Sequence, residues 1–99
     1  MAHITHVVLF RWRADAPAEA IKAAAEGLAE LATLVPNILE LEVGYNFSDR
    51  SQGYGLALLV RFPNRAALEA YAPHPAHQRV VTELIRPIAE SVLVADYEA

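Results

Sequence analysis

The stretch "HITHVVLFRWR", residues 3–13, decides how the chain folds. It reads as a β-strand. Ile4, His6, Val8, Phe10 and Trp12 fall on one face, and Thr5, Val7 and Leu9 on the other. Both faces are largely apolar, so the strand is expected at the centre of a sheet, covered on both sides. A second segment, "YGLALLVRF" at 54–62, has the same character, with Tyr54, Leu56, Leu58, Val60 and Phe62 set against Ala57 and Leu59. By contrast, "ILELEVGY" at 38–45 alternates Leu39, Leu41, Val43 and Tyr45 with Ile38, Glu40, Glu42 and Gly44. One mixed face suits an edge strand.

Between the first two strands a helix is expected. Asp15 and Pro17 open it, with the proline in the first turn where its missing N–H costs little. Ile21, Ala24, Ala25, Leu28, Leu31, Ala32 and Val35 recur at helical spacing, and Pro36 stops the run. "NFSDRSQG" is a polar connection of hairpin type. After Pro63, Asn64 caps "RAALEAY". A further helix carries Val80, Val81, Leu84, Ile85 and Ile88, with Pro87 bending or ending it, and "SVLVADY" closes the chain as a strand.

The order β-α-β-β-α-β, with right-handed crossovers, places strands 1 and 3 in the middle and strands 2 and 4 at the edges. This is an α+β, ferredoxin-like antiparallel sheet in a single domain spanning 1–99. The helices can cover only one of its faces. The other still carries apolar groups, and a second sheet from an identical subunit is the economical cover. Composition agrees: 55% of the 99 residues are hydrophobic, much for a domain of this size.

Net charge is −4 with no basic run, so nucleic acid is not an expected partner. There is no cysteine, which excludes disulfides, thiol nucleophiles and cysteine-based zinc sites. Apolar runs of about five residues fall far short of the roughly 18 that a membrane span needs, and "MAHITHVVLFRWR" lacks the pattern of a signal peptide. The expectation is a cytoplasmic protein without a membrane partner.

Chemistry concentrates in "YAPHPAH", residues 71–77, which holds two of the four histidines. His74, before Pro75, falls at a helix cap position, and capping is its expected role. His77 falls one turn in, near the positive end of the helix dipole. That position disfavours imidazolium and leaves a neutral ring able to accept a proton. His6 lies among apolar neighbours, where it is either a hydrogen-bonded core histidine or a wall of a pocket between sheet and helices. Tyr71 is either core packing or a hydroxyl that meets a ligand. His74 and His77 lack the third ligand of a helical zinc site, and no metal or cofactor is expected. His3, near the terminus, is expected to face solvent.

The chain resembles the stress-responsive dimeric α/β-barrel domain, or Dabb, family. The resemblance covers nearly the whole chain and rests on "HVVLFRWR", "VPNILELEVGYNFS", "YAPHPAH" and "VLVADY" in that order. It implies a homodimer whose two four-stranded sheets close into a barrel with the helices outside. Some members resemble or are polyketide cyclases, cofactor-free enzymes that close a ring by aldol condensation. Carried onto this chain, His77 would be the base and Tyr71 would hydrogen-bond the developing enolate oxygen. His6 would complete the catalytic group, and Trp12, Phe10, Leu56 and His74 would line the pocket. The pocket would take a small apolar or ketone-bearing ligand. One position departs from the cyclase pattern: the third strand, which in those members carries a further histidine, here reads Tyr54, Leu56, Leu58. The alternatives are a non-catalytic stress-response dimer and a haem-degrading monooxygenase on the same barrel plan.

Overall fold

The computed structural model describes residues 3–99. The elements run β1 (Ile4–Trp12), α1 (Ala18–Leu34), β2 (Glu40–Tyr45), β3 (Tyr54–Phe62), α2 (Arg65–Tyr71), α3 (Pro75–Val80), a π-helical turn (Val81–Ile85) and β4 (Ala89–Glu98). The four strands form one antiparallel sheet in the order β2-β3-β1-β4. The two segments apolar on both faces are therefore the two central strands, and the fold is ferredoxin-like α+β.

Local chemistry sets the element ends. Pro17 is the N-cap of α1, in extended conformation, rather than a residue of its first turn, and Asp15 is held by Arg13 at 3.1 Å instead of capping. The fixed φ of proline serves the cap as well as the first turn. Asn64 caps α2 by accepting from the Ala67 amide at 2.9 Å. On β2 the alternation begins only at Glu40: Leu39 is exposed, while Ile38 packs against the core. Asn46, for which the sequence offers no role, shapes the hairpin loop. Its side-chain amide donates to the Tyr54 carbonyl at 2.7 Å, and its oxygen accepts from the Ser48 amide at 3.0 Å. The loop closes through Gln52 and Gly53, both at positive φ, with Gly53 at +86°.

The core lies between the sheet and the helices. Ile4, Val8 and Phe10 of β1 and Leu56, Leu58, Val60 and Phe62 of β3 meet Ala24, Leu28 and Leu31 of α1. Phe62 and Leu31 are fully buried, and truncating either to alanine costs about 2–5 kcal/mol. At Gly27 α1 packs tightly on the π turn: a Cβ there would run into a Leu84 methyl.

Register assigns the remaining side chains. His6 pairs with Asp96 and Val60, Val8 with Val94 and Leu58, and Phe10 with Val92 and Leu56. These alternate with Val7, Leu9, Ala57, Leu59, Leu93, Ala95 and Tyr97, which all point to the side of the sheet without helices. Leu93 and Tyr97 there are more than half exposed.

Candidate functional site

The helices do not reach the whole sheet. Over β4 they leave a cavity of about 700 Å³ between β1 and β4 on one side and α2, α3 and the π turn on the other. Its floor is Val8, Phe10, Val92 and Val94, and its polar groups stand toward the ends. Val92 and Val94 are about half exposed on this face because no helix lies over them.

Three aromatic groups gather at one end. The Tyr71 ring lies 4.5 Å from the His77 ring, tilted by 55°, and 5.8 Å from the His6 ring, nearly edge-on at 71°. Phe62 holds the opposite side of Tyr71 at 5.2 Å. All three cavity residues are placed by backbone features legible in the chain: His6 by strand alternation, Tyr71 by the end of α2, and His77 by the proline that starts α3.

His77 Nδ1 lies 2.9 Å from the Ala72 carbonyl oxygen. A carbonyl can only accept, so Nδ1 carries the proton in this contact and Nε2 is left with the lone pair. Burial lowers the pKa of His77, and charge on His6 or His74 would lower it further, while the Ala72 hydrogen bond opposes the shift. The ring is therefore neutral at pH 7 with a basic Nε2, the form a proton acceptor needs.

Tyr71 is 1% exposed, and its hydroxyl has no hydrogen-bond partner. Burial alone pushes its pKa up to about 12, so it is a phenol that can donate and not a phenolate. A buried hydroxyl without a partner costs about 1–3 kcal/mol. Tyr71 is also one of the residues that line the cavity.

His6 is paired: its Nδ1–H donates to the Asp96 carboxylate directly across the β1–β4 ladder. Asp96 fixes the tautomer of His6 in the way a carboxylate orients a catalytic or metal-bound imidazole. Sequence reasoning misses Asp96, which stands in "VLVADY" with nothing local to mark it. Its partner is 90 residues away.

Three other expected pocket residues do not line the cavity. Trp12 keeps the helix-side face that alternation gives it and packs on the core, but it stands past Phe10, outside the cavity lining; the ladder shifts beside it skip Gly55 on β3 and Glu90 on β4. Its indole stacks on Phe10 at 5.5 Å, next to Gly55, with the N–H buried and unpartnered. Leu56 is fully buried core, and the next inward residue, Leu58, takes the cavity position. His74 is engaged in the chain itself, its Nδ1 accepting from the Ala76 amide at 3.1 Å as the N-cap of α3. Phe10 does line the cavity, as do His6, Tyr71 and His77.

Among the described residues no cluster of His, Cys, Asp or Glu could hold a metal ion, and no helix is long and apolar enough to cross a membrane.

Residues 4–99 match the family described as Stress responsive A/B Barrel Domain, Dabb, and the chain belongs to that family. It is 30% identical over 97 residues to a stress-response A/B barrel domain-containing protein of Arabidopsis thaliana, an alignment covering 97% of this chain and 36% of that protein. This chain thus spans about a third of that relative's length. It is 34% identical over 99 residues to an uncharacterized protein of Streptomyces coelicolor, covering 96% of this chain and 98% of that one. Among solved structures, a dimeric protein of unknown function with a ferredoxin-like fold from Bacteroides fragilis superposes with a TM-score of 0.85 at 29% identity, over 98% of this chain and 96% of that one. A hydroxynitrile lyase from Passiflora edulis superposes with a TM-score of 0.87 at 20% identity, over 98% and 93% of the two chains, a likeness of fold.

Proposed function

We propose, from the premise of a Dabb-family domain, that this chain is a homodimer whose cavity binds a small apolar ketone and moves its α-proton without a cofactor. The observation that carries this reading is the Tyr71 hydroxyl. It is buried, unpartnered and protonated, beside a neutral His77, at one end of a cavity with an apolar floor.

In this reading the Tyr71 O–H donates to the ligand's carbonyl oxygen, and His77 Nε2 takes the proton from the adjacent carbon. The C–H electron pair becomes the enolate π bond, and the carbonyl oxygen gains charge that the phenol stabilises. His77 then returns its proton to the substrate or to the product of carbon–carbon bond formation, so no external oxidant or reductant is needed. His6, oriented by Asp96, lines the same cavity with its ring 5.8 Å from that of Tyr71.

The dimer is supported by the side of the sheet without helices. Val7, Leu9, Ala57, Leu59, Leu93, Ala95 and Tyr97 form an apolar face too continuous to be left to water. The Bacteroides fragilis relative is described as dimeric, and so is a Jannaschia protein at 33% identity and a TM-score of 0.79. Two such faces packed together would give the α/β barrel.

The test is α-proton exchange of benzoylacetone in heavy water, followed by NMR. The wild-type protein should accelerate exchange, and His77→Ala should remove about a hundredfold or more of that acceleration. Binding without acceleration would leave a non-catalytic binding domain. Neither binding nor acceleration would favour a purely structural stress-response dimer.

A further inference from the structure

The cavity has two chemically different ends. Residues along β1 advance about 3.3 Å each, so His6 and Phe10 are about 13 Å apart along the floor. At the His6 end stand the Asp96 and Glu69 carboxylates. Beyond Phe10, at the opposite end, stand Arg86, Ala89, Glu90 and Ser91. The wall between is apolar.

Arg86 is the one arginine or lysine lining this cavity, among the described residues. Its neighbour in the lining, Glu90, does not neutralise it, because the Glu90 carboxylate is taken by Arg11 at 2.9 Å. The other ion pairs of arginine join Arg13 to Asp15, Arg65 to Glu98 and Arg79 to Glu83; Arg86 is in none of them.

The backbone turns Arg86 toward the cavity. In an α-helix, residues five apart are displaced by about 140° around the axis. Here the Arg86 amide donates to the Val81 carbonyl at 2.9 Å, the i→i+5 bond of a π turn, which brings 81 and 86 one turn apart. Val81, Ile85 and Arg86 consequently all line the cavity.

We infer that the ligand is an elongated oxo acid, with its carbonyl at Tyr71 and a carboxylate at Arg86, joined by an apolar segment that lies over Phe10, Val92 and Val94. Arg86 offers the planar fork that pairs with a carboxylate. Glu69 and Asp96 repel the same carboxylate from the other end, so the charges fix orientation as well as affinity. This inference rests on the proposed ligand site and adds the class of molecule and its direction.

The experiment uses three probes with one chain: decanoate, methyl decanoate and decylamine. Each is titrated into the protein while the methyl signals of Val8, Val92 and Val94 are followed by NMR. Decanoate should bind about tenfold more tightly than the methyl ester, and decylamine most weakly. Arg86→Gln should bring decanoate to the affinity of the ester and leave the ester unchanged; Arg86→Lys should keep part of the preference. Equal affinity of acid and ester in the wild type, with the valine signals shifting for both, overturns the anion inference and leaves the cavity reading standing. No shift of those signals with any probe overturns both.

Discussion

Tyr71 and His77 are held ring against ring, 4.5 Å apart, by opposite ends of one short irregular segment: the last residue of α2 and the third residue of α3. The hydrogen bond from His77 to the carbonyl of Ala72, the residue right after Tyr71, ties the two together. A proton donor and a proton acceptor are thereby fixed side by side in a low-dielectric wall.

Tyr71→Phe separates stability from activity. It deletes a buried hydroxyl that has no partner and keeps the ring against Phe62, His6 and His77. Urea unfolding should show stability unchanged or raised by about 1 kcal/mol. The benzoylacetone exchange rate should fall in the same variant. Loss of stability by more than about 1 kcal/mol would mean that the hydroxyl is satisfied within the fold.

The pH dependence of stability carries the mark of His77. Its folded pKa lies below the ordinary histidine value of 6.5, so the unfolded chain binds its proton first as pH falls. Stability from this group is fully present above about pH 7 and declines as pH drops through about 6.5, levelling off below the folded pKa. His77→Gln should flatten this part of the profile, the fall in stability as pH drops through about 6.5. The His77 ring signals should titrate below 6.5 by NMR.

Asp96→Asn tests the orientation of His6. The carboxylate now fixes Nδ1–H; an amide can accept or donate and no longer selects one tautomer. Long-range nitrogen–proton correlation spectra should show a single Nδ1–H tautomer in the wild type and a mixture in the variant. Stability should fall by about 1 kcal/mol.

Leu59→Glu places a charge at the middle of the helix-free face, on a central strand and away from the cavity. Native mass spectrometry should give a dimer for the wild type and a monomer for the variant. Far-ultraviolet circular dichroism should be retained, since Leu59 is not part of the buried cluster.

The fold is legible in the chain because β1 and β3 are apolar on both faces, and only central strands need that. His6, Tyr71, His77 and Phe10 are legible because alternation and the Pro75 helix start set their direction. Trp12 faces the side that alternation predicts and stacks on Phe10; that the cavity lining stops short of it depends on how the helices lie over the sheet, which no residue in "FRWR" announces. The π turn is invisible because "VTELI" satisfies an α-helical pattern equally well. Asp96 escapes notice because its meaning comes from a ladder partner at the far end of the chain.

β4 presents Val92, Val94 and Asp96 to the cavity and Leu93, Ala95 and Tyr97 to the opposite side, residue by alternate residue. With the proposed ligand and the proposed partner subunit in place, this single strand would serve two separate associations, and any shift of its backbone would be felt by both. Thermodynamic reciprocity then requires that whatever a bound molecule does to the tightness of subunit pairing, subunit pairing does to the tightness of that molecule. Affinity measured on a dilute, dissociated protein would differ from that of the concentrated one, and the sign of the difference would say whether an occupied β4 holds its neighbour more firmly or lets it go.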